Sequence, residues 1–274
     1  MESAPIKPHE FIAENLKHSA LKLNKSKDGT RETKQVRISY GPNNTVLRVK
    51  VPSARLPFGL TTSKDDPANP SQYKKYSISI SLDNENPELK KFTEMLKKLD
   101  EINLKQTMDK CKEWWGETKI SIDAAKERYE SMVKYPKDET SGYSPTFKIK
   151  LNIYKGEPAF LVYDENNRKM KWYSGNEYVP SFDWSWAEKN SQVETVIDCE
   201  GLYIVNKKVY CCFRAYQVKS QPPKELGCCF GDEVDNVPTE VEETKEEEDI
   251  PKTSQVKKAP LKVEDDSSSD DEEE

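Results

Sequence analysis

Residues 76–99 read YSISISLDNENPELKKFTEMLKKL, and two different periods of apolar residues follow one another in them. The apolar residues of 76–82 alternate with serines, which is the period of a half-buried β-strand. Asn86 and Pro87 come next, the combination of a helix N-cap with proline at the first helical position. From Leu89 to Leu99 the apolar residues recur at steps of three and four, which is typical of a helix with one buried face. The stretch predicts a strand that leads directly into a helix.

On the N-terminal side, period-two segments within Val36–Val51 flank the turn residues 41–44 and predict a β-hairpin. Residues 1–34 are polar and rich in lysine, and we expect them to form a weakly ordered arm. On the C-terminal side, the helical pattern continues to Trp115, and a second helix is predicted over Ile122–Val133. The helical insert therefore spans about residues 87–134.

Strand patterns return after the insert. They cover 147–153, 159–163, 193–199, 202–205 and 209–219, and Pro222-Pro223 ends the series. Short strands around one helical insert favour an all-β barrel, because a βαβ protein alternates strand and helix throughout. The predicted organisation is an N-terminal arm at 1–34, one β domain at 35–220 and a tail at 221–274.

The charge of the chain is unevenly distributed. Of its 274 residues, 34% are apolar and 34% are charged, whereas folded chains have roughly 45–50% and about 25%. Gly231–Glu274 holds eighteen acids, five bases and no aromatic residue, which leaves residues 1–230 with a net charge of +7. We expect the tail to be a disordered polyanion attached to a basic body.

Several chemistries lack their usual residues. The histidines, His9 and His18, both lie in the N-terminal arm, and the chain has no GxxxxGK[ST], GxGxxG or HExxH motif. The vicinal pairs Cys211-Cys212 and Cys228-Cys229 lack the CxxC spacing of a zinc site. These observations predict a protein that is not an enzyme and has no cofactor or metal. A carboxylate cluster assembled from distant residues, as in a metal-dependent nuclease, stays open as an alternative.

The N-terminus lacks the basic and apolar regions of a secretory signal, and the longest apolar runs are about five residues, against roughly 20 needed to cross a bilayer. We therefore expect an intracellular protein in a reducing compartment, without a membrane segment or disulfides.

A basic, aromatic-rich β domain is typical of single-stranded nucleic-acid binding, in which cations follow the backbone and rings stack on bases. Trp172, beside Lys171 in a turn-rich segment, is predicted to be the best exposed ring, whereas Phe182, Trp184 and Trp186 are predicted to face the core. The candidate DNA contacts are Arg37, Arg48, Lys50, Arg55, Lys148, Lys150, Lys171, Trp172, Lys208, Tyr210 and Arg214.

The strand order and the acidic end resemble the acidic-tailed OB-fold single-stranded DNA-binding proteins of podophages and, more closely, those of large nucleocytoplasmic DNA viruses. The resemblance covers about residues 34–220. It rests on Val36–Val51, on 76–87, and on the closing segments 201–205 and 213–218. It implies a five-stranded OB-type barrel with extra strands and an inserted helical segment. One departure is the C-terminus, which is Glu272-Glu273-Glu274, whereas the phage proteins end in an aromatic residue. A partner that recognises a terminal ring is therefore not expected.

The interpretation is a viral protein that coats and protects single-stranded DNA in replication, recombination and repair, in the host cytoplasm or nucleus. Its acidic end would inhibit the DNA site or recruit replication proteins such as a polymerase or helicase, through Asp270, Asp271, Glu272, Glu273 and Glu274. The alternative is an acidic-tailed chaperone for basic nucleic-acid-binding proteins. The sequence does not decide between a monomer and a homodimer.

Overall fold

The computed structural model describes residues 4–25, 32–63, 75–174 and 181–223. The helices are α1 (Pro87–Asp109), α2 (Cys111–Trp115) and α3 (Ile122–Arg128). The strands are β1 (Leu16–His18), β2 (Lys22–Lys25), β3 (Glu32–Val36), β4 (Ile38–Tyr40), β5 (Thr45–Val46), β6 (Arg48–Arg55), β7 (Leu60–Thr62), β8 (Tyr76–Ser81), β9 (Tyr129–Glu130), β10 (Val133–Lys134), β11 (Thr146–Leu151), β12 (Ile153–Tyr154), β13 (Glu157–Pro158), β14 (Leu161–Tyr163), β15 (Tyr173–Ser174), β16 (Ser181–Phe182), β17 (Gln192–Val205) and β18 (Lys208–Gln221).

Five of these strands form a barrel. β8 pairs antiparallel with β11, and β11 pairs parallel with β18. β18 pairs antiparallel with β17, which pairs antiparallel with β6. β6 in turn contacts β8, so the ends of the series meet. The predicted mainly β fold, an OB-type barrel with extra strands and an inserted helical segment, is confirmed.

The barrel interior is apolar because the strands alternate as the sequence predicts. Ile78, Ile149 and Ile197 have no exposed surface, and Phe213 is 1% exposed. Their chain neighbours point to the opposite side of the sheet. The side chains on that opposite side form the outer face of the barrel, where the candidate site lies.

The helical insert covers one part of this core. Asn86 caps α1 by accepting hydrogen bonds from the backbone N–H groups of Glu88 and Leu89, as predicted. The buried Phe92 of α1 packs edge-on against Phe147 of β11, with 5.5 Å between the ring centroids. The second predicted helix is shorter than expected. α3 ends at Arg128, because residues 129–130 pair with β18 and residues 133–134 pair with β11.

The N-terminal segment belongs to the folded body where the structure describes it, so the expectation of a weakly ordered arm is wrong for residues 4–25. Ile6 bridges to Val49 of the barrel, and β1 pairs with β4. Phe11 is 9% exposed and stacks on Tyr40 at 5.7 Å. Few apolar side chains suffice here, because they pack against β4 and the barrel strand β6.

The long hairpin of β17 and β18 pairs with strands on both of its sides, β6 and β11. Asn206 and Lys207 form its turn with φ values of 49° and 63°, the double positive φ that two-residue hairpin turns require. The ladder is interrupted at two places, between Val196 and Ile197 and between Cys199 and Gly201. Among the residues that the structure describes, no helix is long and apolar enough to cross a membrane.

Candidate nucleic-acid interface

A row of cross-strand neighbours runs over the outer face of the barrel. Starting at β6 and ending at β7, the row consists of Arg48, Asp198, Arg214, Lys150, Ser77 and Thr61. Neighbours in register point to the same side of a sheet. The fold therefore brings Arg214 and Lys150 side by side, although 64 positions separate them in the chain.

At the β6 end of this row, the positive charge of Arg48 is neutralised by Asp198. The Arg48 guanidinium donates from Nε to Asp198 Oδ1 at 2.6 Å and from Nη2 to Asp198 Oδ2 at 3.0 Å. The ring of Tyr216 lies 3.5 Å from the guanidinium carbon. Arg48, expected from the sequence to contact DNA, is instead held in the barrel because β6 places it opposite Asp198. It is 9% exposed.

Lys150 and Arg214 lie in the middle of the row and are half-buried. Lys150 Nζ donates to Glu200 Oε2 at 3.1 Å and lies 4.5 Å from the Tyr203 ring centroid. Burial lowers the pKa of Lys150, but Cys212 and Glu200 more than offset this effect, so the pKa lies above its ordinary value. Lys150 is therefore a cation at neutral pH. Arg214 Nη2 lies 3.5 Å from Asp198 Oδ2, a long contact to a carboxylate that Arg48 already occupies.

Next to Lys150 the outer face is concave. A cavity of about 510 Å³ lies over β7, β8 and β11 and continues to Asn152 and Ile153. Small side chains make room for it, because Ser77 and Thr61 occupy the row where large residues would fill the space. Its lysines are Lys75 and Lys148, both exposed, and the half-buried Lys150. We name this cavity, with its three lysines, the basic groove.

Tyr154 continues the chain just beyond the groove lining and is 70% exposed. Lys155 Nζ lies 5.9 Å from its ring centroid. Tyr76, which lines the groove, is fixed instead by stacking on Trp184, with 4.8 Å between ring centroids. One fixed ring therefore lines the basic groove, and one exposed ring lies a single residue beyond its lining.

Trp172 is not the exposed ring that the sequence predicts, because 3% of its surface is exposed. It packs against Phe160 and Trp184 with ring centroids 5.0 and 4.9 Å away. The predicted core-facing stripe joins the same aromatic cluster: Trp186 is fully buried, while Phe182 and Trp184 are partly buried against the core. The chain neighbours of Trp172, Lys171 and Tyr173, are exposed.

The other candidate contacts are spread over the molecule. Lys50 lies 3.9 Å from Glu194 and lines a separate cavity of about 300 Å³, and Arg55 donates to Asn190 Oδ1. Lys208 donates to the carbonyl of Glu127 at 2.6 Å. Arg37 is exposed on the link between β3 and β4, and Tyr210 is 38% exposed near the hairpin turn. The structure therefore gathers Lys148, Lys150 and Arg214, and not the whole predicted set. The acidic end, 270–274, lies outside the described residues.

The contributors to the site that were not among the predicted contacts include Lys75, Ser77, Asn152 and Glu200. The serine and the asparagine are uncharged, so a search for basic residues does not find them. Lys75 could have been found, because it directly precedes the strand that the alternation of 76–82 predicts. Glu200 depends on an irregularity of β17, for which only Gly201 could have served as a signal.

Within the described ranges, no group of three His, Cys, Asp or Glu side chains is placed to hold a metal ion.

Comparison with known proteins gives matches of structure only. No model of a protein family and no curated protein matches the chain. Among solved structures, it is similar to gp2.5, a single-stranded DNA-binding protein encoded by bacteriophage T7, with a TM-score of 0.42 and 13% identity over 73% of this chain and 100% of that one. It is also similar to the single-stranded DNA-binding protein from bacteriophage Enc34 in complex with ssDNA, with a TM-score of 0.38 and 11% identity over 69% of this chain and 92% of that one. Both are single-stranded DNA-binding proteins of bacteriophages.

Proposed function

We propose that the protein binds single-stranded DNA in the basic groove without sequence preference, and that it coats and protects such DNA in viral replication, recombination and repair. The observation that carries the proposal is the position of Lys75, Lys148 and Lys150 around a concavity on β8 and β11. These are the second and third strands of the barrel, and OB-folds bind oligonucleotides on that face.

The chemistry of the groove fits a single strand. Ammonium groups attract phosphates without reading bases, and the exposed Tyr154 ring offers a face on which any base can stack. A duplex keeps its bases paired inside, so it would gain the phosphate contacts without the stacking. Preference for single strands is therefore expected to come from the rings, and salt dependence from the lysines.

The test is a titration of fluorescently labelled oligo-dT and of a duplex, read by anisotropy at several salt concentrations. The double substitution Lys148→Ala/Lys150→Ala should weaken oligo-dT binding and reduce the log–log salt slope by about 1.4, since each neutralised phosphate contributes about 0.7. The matched control is Lys98→Ala/Lys105→Ala, which removes two exposed lysines of α1. Equal affinity for duplex and single strand, or equal losses in the two double variants, would overturn the proposal.

We further propose that the acidic tail competes with DNA for the basic groove and recruits replication proteins. Its net charge of −13 over residues 231–274 is opposite to that of the body. A tethered polyanion reaches an effective concentration of about millimolar for a short flexible linker, so even a weak contact competes. A chain ending at residue 230 should bind oligo-dT more tightly near 50 mM salt, and the gain should shrink at high salt. Identical affinities at low salt would exclude the competition.

The proposed setting is intracellular, in the host cytoplasm or nucleus. Immunofluorescence of infected cells would test it, since the protein should accumulate where viral DNA is synthesised.

A further inference from the structure

Glu200 lies at a β-bulge of β17, and its carboxylate contacts Lys150 of the basic groove. In the ladder between β17 and β18, Cys199 faces Phe213 and Gly201 faces Cys212. Glu200 lies between these two pairs as the extra residue of the bulge. Asp198 lies on the outer face, so alternation places Glu200 there too, and the bulge brings Gly201, which faces Cys212, onto the same side.

Gly201 fixes this bulge. Its φ is +107°, and a Cβ at this position would lie 2.2 Å from the carbonyl oxygen of Val36. A residue with a side chain would therefore have to displace β3. The backbone at this bulge therefore requires a glycine next to Glu200.

The Glu200 carboxylate reaches across β18 to β11. Its Oε2 accepts a hydrogen bond from Lys150 Nζ at 3.1 Å, and its Oε1 accepts one from Asn152 Nδ2 at 2.8 Å. Both donors line the basic groove. Cys212 of β18 lies between β17 and β11. Its side chain is small and leaves room for the Glu200 side chain to reach β11. The Glu200 side chain is 15% exposed, so bulk solvent screens the ion pair only in part.

The two carboxylate oxygens of Glu200 occupy the positions that the oxygens of a phosphate bound to Lys150 and Asn152 would take. We propose that Glu200 is an internal competitor of the DNA phosphate, which lowers the affinity of the basic groove and keeps binding reversible. This inference rests on the proposed function, since it names a residue that regulates the same site. A phosphate that approaches Lys150 must displace the carboxylate or share the ammonium with it.

The test is the substitution Glu200→Gln, which keeps the shape and the acceptor for Asn152 but removes the charge. It should lower the Kd for oligo-dT about two- to fivefold near 50 mM salt, the range of a partly exposed ion pair. The gain should shrink at high salt. The matched control is Glu88→Gln, which removes the same charge from an ion pair with Lys91 on α1, where Nζ and Oε1 are 2.7 Å apart.

A double-mutant cycle separates competition for Lys150 from a general loss of negative charge. In a Lys150→Met background, Glu200→Gln should improve affinity less than about twofold, because the two effects are coupled. Glu200→Asp, one methylene shorter, keeps the charge and should improve affinity less than Glu200→Gln. It serves as the second variant if Glu200→Gln does not fold.

The outcomes are distinct. Failure of the wild-type protein to bind oligo-dT would overturn the proposed function and this inference with it. Wild-type binding combined with weaker or unchanged binding by Glu200→Gln, or with equal gains in Glu200→Gln and Glu88→Gln, would overturn this inference alone. In that case Glu200 would only position Lys150.

Discussion

The guanidinium of Arg48 and the carboxylate of Asp198 form a two-point ion pair that joins β6 to β17, with N–O distances of 2.6 and 3.0 Å. The Asp198 side chain is 1% exposed and that of Arg48 is 9% exposed. Tyr216 covers the guanidinium from β18. The pair and Tyr216 together connect three strands of the barrel, so the role of the pair is structural.

Substitution Arg48→Ala should lower the free energy of unfolding by about 3–5 kcal/mol, because the buried Asp198 carboxylate would lose its two-point ion pair and keep the longer 3.5 Å contact to Arg214. Arg37→Ala removes an exposed arginine and should change stability by no more than about 0.5 kcal/mol. Urea titrations of both variants measure the difference. Similar stabilities of the two variants would contradict the assignment of Arg48 to the barrel.

The burial of Trp172 gives a second stability prediction. Trp172→Ala should destabilise the protein by about 3–5 kcal/mol, as for other buried tryptophans, because the ring packs within the cluster of Phe160, Phe182, Trp184 and Trp186. Lys171→Ala, at the exposed neighbouring position, is the control. A Trp172→Ala protein with a wild-type thermal midpoint would show that the ring does not contribute to the core.

Most of the barrel could be predicted from the sequence because its strands are half-buried, and half-burial imposes a period of two. The serines of Tyr76–Ser81 and the isoleucines between them specify their faces without any structure. The helix start is similarly local, since Asn86 caps it with its own side chain. The ordered structure of residues 4–25 could not be predicted in this way, because it depends on packing against β4 and β6 and not on an apolar pattern of these residues themselves.

The candidate site was predictable only in part. Lys148 and Lys150 follow from the alternation of β11, but the parallel pairing that sets Arg214 beside Lys150 is a property of the whole barrel. Likewise, nothing near Trp172 in the sequence shows that Phe160 and Trp186 close over it. Strand faces are local, whereas exposure depends on which distant segments pack together.

Tyr154 supplies a binding prediction. Tyr154→Ala should weaken oligo-dT binding by about 1–3 kcal/mol, the contribution of one base stacked on a ring, and leave the thermal midpoint unchanged. Tyr143→Ala is a matched control, because that ring is 74% exposed against 70% for Tyr154 but, unlike Tyr154, it is not next in the chain to a residue that lines the basic groove. Anisotropy of labelled oligo-dT is the suitable measurement, since all five tryptophans lie at buried or half-buried positions. Equal affinities of the two variants would remove Tyr154 from the interface.

A chain of hydrogen bonds links the N-terminal segment to the helical insert and has a bearing on pH dependence. His18 Nε2 donates to Asn103 Oδ1 at 2.9 Å, and Asn103 Nδ2 donates to the hydroxyl of Tyr129 at 3.3 Å. The Tyr129 hydroxyl donates to Asp100 Oδ1 at 2.6 Å. Burial lowers the pKa of His18 below 6.5, with the Asn103 hydrogen bond opposing part of this shift. Burial raises the pKa of Asp100 above 3.8, against the hydrogen bonds of Tyr129 and Ser131.

The two shifts affect stability in opposite directions. Because unfolded His18 binds a proton at a higher pH than folded His18, its contribution to stability is present above pH 6.5 and is lost as the pH falls through the folded pKa. The contribution of Asp100 is present below pH 3.8 and is lost as the pH rises through its folded pKa. We therefore expect His18→Gln to lose less stability than the wild type between about pH 7 and pH 5, with the Asp100 effect common to both proteins. His9→Gln, at an exposed position, should follow the wild type. Urea titrations across this range measure both differences, and parallel pH profiles of His18→Gln and the wild type would show that His18 does not titrate with folding.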